Sequence, residues 1–171
     1  LPLQKLQLIL NCIDDLNELP SMPTGHLSHV LNITLDNASK LKINFQKYCN
    51  VPFEEIFQEK NIHIIAYNDP QYPQELFQLI DPPTILYAVG DISLLKRQKI
   101  AIIGSRNATE YTKVGLSFIV PPLVLNQYVI VSGLAKGADT MAHQTTIHLG
   151  GKTIGVLGSG FDHIYPRENK G

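Results

Sequence analysis

The sequence predicts an α/β protein: a parallel sheet with flanking helices, preceded by a small all-helical module. Three observations carry this. Apolar runs at residues 100–103, 128–131 and 153–157 each break into a glycine-bearing loop. The segments between them are long enough for crossover helices, so strand, loop and helix repeat in the order that gives a parallel sheet. Residues 1–58 instead carry apolar side chains at helical spacing, interrupted by proline and glycine. The boundaries expected are therefore 1–58 for the helical module and 59–171 for the α/β domain.

Within the module, Leu3, Leu6, Leu8, Ile9, Leu10 and Ile13 predict an amphipathic helix over residues 2–19. Pro20, Pro23 and Gly25 end it. A second helix is expected over 26–33 and a third over 37–48, with Asn37 as its N-cap. Pro52 suits the first position of a fourth, where Glu54 and Glu55 also complement the helix dipole. Residues 61–67 and 84–89 read as strands, with turns at Asn68-Asp69-Pro70 and Asp81-Pro82-Pro83, and short helices at 73–80 and 92–97. These strands are expected to extend the parallel sheet. Thr109 is placed to cap a helix reaching Asn126, and Pro121-Pro122 predicts a break near Val120, because an interior proline costs about 3 kcal/mol. A final helix over 139–149 stops at Gly150-Gly151.

With 44% hydrophobic and 17% charged residues in 171, the chain is expected to be a globular cytoplasmic protein. Its first ten residues lack the basic leader and cleavage site of a signal peptide, and no apolar span is long enough for a membrane helix. Cys12 and Cys49 have no metal-ligand spacing and read as reduced core thiols. Three parallel strands make a thin sheet, so further strands are expected beyond residue 171. The net charge of −1 hides a division: residues 1–95 hold 5 Lys+Arg against 11 Asp+Glu, and residues 96–171 hold 9 against 4. A basic half of this kind suits a polyanionic partner.

Parallel strands gather their carboxyl ends along one edge, where ligands bind, so the three loops should line one crevice. Gly104 lets the chain turn sharply off its strand, freeing the amides of Ser105 and Arg106 to face an anion. The Arg106 fork suits phosphate. Ser132, Gly133, Lys136 and Gly137 bring a second cation to the same edge. Gly158, Ser159 and Gly160 form the third loop, followed by Phe161, His163, Tyr165 and Arg167, a mixture of rings and bases that fits single-stranded nucleic acid.

Other chemistries are disfavoured. The loop after residue 103 lacks the second and third glycines of a dinucleotide fingerprint, and Gly137-Ala138-Asp139 lacks the Lys-Ser/Thr of a phosphate-binding nucleotide loop. Asp139 and His143 share a helix face at i and i+4, but no third ligand has fitting spacing, so a structural pair is expected rather than a metal or an acid/base site. No nucleophile elbow is present. No cofactor is expected, and no catalysis.

Residues 102–106 (IIGSR), 130–139 (IVSGLAKGAD), Ala142-His143, 150–154 (GGKTI), 156–162 (VLGSGFD) and 165–169 (YPREN) together resemble the DNA-processing protein A family, DprA/Smf. Tyr72-Pro73, Leu76, Asp81-Pro82-Pro83, Leu86 and Gly90 resemble its approach segment. Residues 1–58 resemble only its variable helical module. Thr112 departs from the family's usual glycine after tyrosine, and Pro121-Pro122 interrupts a normally continuous helix. The resemblance implies an extended Rossmann-like domain that binds and protects single-stranded DNA and helps load the RecA recombinase during natural transformation. It further implies a homodimer, formed largely by parts beyond this chain, and assigns phosphate contact first to Arg106 and then to Arg167. Lys136 follows on the physical argument alone.

Two other classes stand against this reading. A nucleoside-monophosphate phosphoribohydrolase on a related fold would need a Pro-Gly-Gly-x-Gly-Thr segment, which residues 1–171 do not contain. A pure interaction scaffold would show no DNA binding that depends on Arg106.

Overall fold

The computed structural model describes residues 1–166, so Arg167 lies outside the described residues. It divides into two compact units, Leu1–Ile92 and Ser93 onward.

The first unit opens with α1 (Leu3–Leu10), which is shorter than its apolar spacing suggests. Asp15 restarts the chain as a 3₁₀ turn, Leu16–Ser21, by accepting the Asn17 N–H at 2.9 Å. Helices α2 (Thr24–Leu31) and α3 (Leu35–Tyr48) follow. The cap of α3 is Thr34, whose hydroxyl accepts the Asn37 N–H at 3.2 Å, so Asn37 lies inside the helix rather than ahead of it. Pro52 likewise stands just outside α4 (Phe53–Glu59). Ile9, Leu19, Met22, Leu27, Leu31 and Ala38 form the core of this unit. The two cysteines are not core thiols. Both are free and exposed, Cys12 in the turn after α1 and Cys49 at the end of α3, where the helix face turned to the core has run out.

The strands β1 (His63–Ala66) and β2 (Ile85–Ala88) do not extend the parallel sheet. They pair with each other, antiparallel, Ile64 opposite Tyr87, as a separate two-stranded sheet. The connection between them explains the pairing. Tyr72 is wholly buried and donates its hydroxyl to the Pro83 carbonyl at 2.7 Å, and the Tyr67 N–H bonds to Thr84 at 2.9 Å, which folds the chain back on itself. The segments expected as helices at 73–80 and 92–97 are 3₁₀ turns, Gln74–Gln78 and Ile92–Lys96.

The second unit is the expected α/β arrangement. β3 (Lys99–Ala101), β4 (Val129–Gly133) and β5 (Lys152–Val156) form a parallel sheet in sequence order. Helices α5 (Glu110–Leu125) and α6 (Ala138–His148) make the two crossovers. They pack on each other and on β4, so they share one face of the sheet. Burial on both faces therefore holds for the central strand alone: neighbouring Val129 and Ile130 are both fully buried, while Ala101 and Val156 at the flanking strands are exposed.

Helix α5 does not break at its prolines. Both lie inside it, and it ends only where the Asn126 N–H returns to the Pro122 carbonyl at 3.1 Å. Two backbone donors are lost, yet Leu116 and Val120 are buried against Ile130 and Ala142, with Leu123 and Val124 beside them. That packing holds the prolines in the helix against their propensity. Thr112 also gains a role, since its hydroxyl accepts the Thr109 N–H at 3.4 Å across the helix start.

Candidate nucleic-acid interface

The parallel register decides which residues meet. Val131 pairs with Ala101 on one side and Ile154 on the other, so all three strands deliver their following loops to the same edge.

The first two loops are locked together. The Ala138 N–H at the start of α6 donates to the Ser105 carbonyl at 3.0 Å. Gly137 precedes it at φ 83°, and a side chain there would run into the carbonyls of Ser105 and Arg106. Glycine is required for both reasons. Gly104 completes the fit, since a Cβ on it would lie 2.7 Å from that of Ala138. Within the first loop the Ser105 hydroxyl accepts the Asn107 N–H at 3.0 Å, closing a tight turn that leaves Arg106 at its tip.

The second loop is held at both ends by α6. Asp139 and His143, one turn apart, converge on Gly133. His143 Nε2 lies 2.7 Å from the Gly133 carbonyl, which can only accept, so Nε2 is the donor. A Cβ on Gly133 would stand 2.5 Å from an Asp139 carboxylate oxygen. On the other side of the ring, Nδ1 is 2.6 Å from the Thr153 hydroxyl, itself 2.8 Å from the Ile130 carbonyl, so His143 ties α6 to β4 and β5 together. Thr140 donates to the Ala135 carbonyl at 2.7 Å and fixes the middle of the loop. The pair at i and i+4 is thus a structural clamp. Among the described residues no cluster of His, Cys, Asp and Glu could hold a metal.

The expected site residues separate into two kinds. Ser132 is buried and donates its hydroxyl to the Ile102 carbonyl at 2.6 Å, which makes it part of the scaffold. Gly104, Gly133 and Gly137 permit close backbone approach. Arg106 and Lys136 are exposed and have no ion pair or hydrogen bond to any described residue. Other cations of this unit are differently placed: Arg97 donates to the Gln127 carbonyl at 2.9 Å and Lys99 to those of Leu95 and Arg97, at the amino-terminal ends of the strands, while Lys113 at the start of α5 lies 3.8 Å from Glu110. Asp139 occupies the first turn of α6, where it already satisfies the positive end of that helix. The α6 dipole is thus already matched, and Arg106 and Lys136 are the exposed cations of the two loops.

The third loop leaves β5 beside Gly133, and Gly155 packs against the Leu134 side chain, linking it to the second loop. Gly158 and Gly160 have open space around them, and the Ser159 hydroxyl donates to the His163 carbonyl at 2.7 Å. Phe161 is half-buried and Tyr165 exposed. Arg167 cannot be placed with them, as it falls outside the described residues. Residue spacing pointed to Asp139 and His143 but not to their common target, nor to Thr153, which carries no signal beyond its strand position.

No helix among the described residues is long and apolar enough to cross a membrane. The family model for DNA recombination-mediator protein A matches residues 63–171. The chain is 46% identical over 114 residues to DNA processing protein DprA of Bacillus subtilis, covering 66% of this chain and 38% of that one. It is 28% identical over 148 residues to protein Smf of Escherichia coli, covering 83% and 40%. The chain therefore spans well under half the length of these relatives. DNA processing protein A of Streptococcus pneumoniae superposes with a TM-score of 0.70 at 30% identity, over 87% of this chain and 51% of that one. The Helicobacter pylori protein, whose structure was described for its single-stranded DNA binding mode, gives 0.54 at 37% identity over 63% and 47%. With a family model matched across the whole α/β unit and the two strands that precede it in sequence, this chain belongs to the DNA recombination-mediator protein A family.

Proposed function

We propose that the chain belongs to a cytoplasmic, non-catalytic protein that binds and protects single-stranded DNA and helps load the RecA recombinase onto it, acting as a homodimer. One observation carries the DNA reading: Arg106 and Lys136, on two loops locked to one another, are exposed and unpaired among the described residues. Charged groups held apart from carboxylates on a rigid edge are what a phosphate backbone recognises without reading sequence. Tyr165 and Phe161 on the adjoining loop offer ring faces for bases, each stacked base contributing about 1–3 kcal/mol. The described single-stranded binding of the Helicobacter pylori relative supports the same reading.

The test is fluorescence anisotropy of a labelled oligothymidine with a duplex control and a salt series, comparing the chain with Arg106→Ala, Lys136→Ala and Arg167→Ala. Single-strand preference is expected, with a log-log salt slope of roughly −0.7 per phosphate neutralised and a shallower slope in each variant. Wild type and variants binding alike would move the site away from this edge. Absence of single-strand binding at low salt would overturn the DNA reading.

A further inference from the structure

We infer that Tyr111 is a base-stacking residue of the candidate interface, an inference that rests on the single-stranded DNA reading and adds to it a residue outside the three loops. At 87% exposure Tyr111 has the most open aromatic side chain among the described residues, and its ring meets no other ring there. The helix start that carries it is fixed. The Thr112 hydroxyl accepts the Thr109 N–H at 3.4 Å, and the Ser105 carbonyl is held by the first residue of α6 at 3.0 Å. Only residues 107–110 separate Arg106 from Tyr111, so the cation and the ring leave the same anchored turn. Helical Cα–Cβ bonds tilt toward the amino end, which leans a ring in the first turn of α5 toward the loop edge.

The order of the strands gives the ring its place. β3, β4 and β5 deliver their loops side by side, with neighbouring strands about 4.8 Å apart. Arg106 and Tyr111 belong to the first loop and its helix, Lys136 to the second loop, and Phe161 and Tyr165 to the third. Without Tyr111 the rings of this edge stand beside β5 alone; with it, a ring is present at each end of the row of cations. An extended single strand lying across the strand ends offers phosphates and bases along its whole length, and rings at both ends with cations between them meet the two components together. Glu110, the carboxylate beside Tyr111 in sequence, has Lys113 as its partner at 3.8 Å, which offsets its charge. Phe118 supplies the contrast. It is exposed too, on the same face of α5, but stands about two turns or 10 Å further along the axis, away from the edge where Arg106 lies.

The experiment reads anisotropy with labelled oligothymidine and with an oligomer of the same length and backbone that lacks bases, against the whole chain, Tyr111→Phe, Tyr111→Ala and Phe118→Ala. The parent is expected to prefer the oligomer that has bases. Tyr111→Phe should bind it as the parent does, and Tyr111→Ala about tenfold more weakly with an unchanged salt slope, since no charge is removed. The abasic oligomer should bind Tyr111→Ala and the parent alike, and Phe118→Ala should match the parent on both. Irradiating an iodouracil-bearing strand on the unaltered chain, followed by peptide mass mapping, is expected to join the strand to Tyr111, which keeps the test decisive whatever a variant does to folding. Tyr111→Ala binding oligothymidine like the parent, an equal loss on the abasic oligomer, an equal loss in Phe118→Ala, or crosslinks confined to other residues would each overturn the inference while leaving DNA binding in place. A parent that binds neither oligomer would overturn the single-stranded DNA reading, and the role of Tyr111 with it.

Discussion

The imidazole of His143 and the carbonyl of Gly133 are joined by a 2.7 Å hydrogen bond between the middle of α6 and the last residue of β4. The bond starts the lysine-bearing loop from a fixed point. Replacing His143 by alanine removes the donor to the part-buried Gly133 carbonyl and leaves the Thr153 hydroxyl with the Ile130 carbonyl alone. The loss expected is about 1–3 kcal/mol, read as a lower urea midpoint with an unchanged slope. Oligothymidine affinity should fall as well, although the residue lies behind the exposed cations.

Glycines at this edge should respond unequally. Gly137→Ala combines a positive φ with overlap onto the carbonyls of Ser105 and Arg106, and should lower stability by about 1–3 kcal/mol. Gly158→Ala meets open space and should melt within about 0.5 kcal/mol of the parent. Equal effects would mean that the two loops are not locked at Gly137.

Pro122 is an exposed proline within a continuous helix. Pro122→Ala restores a backbone donor inside α5. An interior proline costs about 3 kcal/mol, while its loss frees the unfolded chain by about 1 kcal/mol, so a net gain of about 2 kcal/mol is expected in thermal or urea unfolding. A lower midpoint would show that the helix depends on the proline.

Tyr72 carries a pH signature. Burial raises its phenol above the ordinary value of 10.0, so the folded protein holds that proton more tightly than the unfolded chain does. Its contribution to stability is whole below pH 10 and is lost as pH rises through the folded value. Tyr72→Phe gives up the bond to Pro83, costing about 1 kcal/mol at neutral pH, but should show a flatter decline in stability under alkaline conditions. Urea midpoints across an alkaline series, with tyrosinate absorbance, measure both.

The three apolar runs, the Thr109 start of α5 and the Gly150 stop of α6 were legible because each depends on local spacing and local chemistry. So was the gathering of the loops, which follows from any parallel sheet. Strand partnership was not: residues 63–66 and 85–88 look like strands wherever they pair, and only the buried turn around Tyr72 turns them toward each other. The passage of α5 through Pro121 and Pro122 was hidden for a related reason. It rests on Leu116 and Val120 meeting residues of β4 and α6, and propensity carries no knowledge of that. At the candidate site, a serine at the end of a strand reads as a polar contact. Ser132 lies two residues from Ile130 and so on the same inward face, which spends its hydroxyl on Ile102.

The first unit is closed by bonds between its extremes: the Thr84 hydroxyl donates to the Leu1 carbonyl at 2.7 Å, and the Gln4 amide to that of Ile80 at 3.3 Å. Both bonds need residues 80–84, so they can form only after the helical part of the unit has been made. The core around Leu27 and Leu31 instead joins residues near one another in sequence. A chain stopped short of β2 would present Phe57 without Tyr87, whose ring centroid lies 5.2 Å from its own.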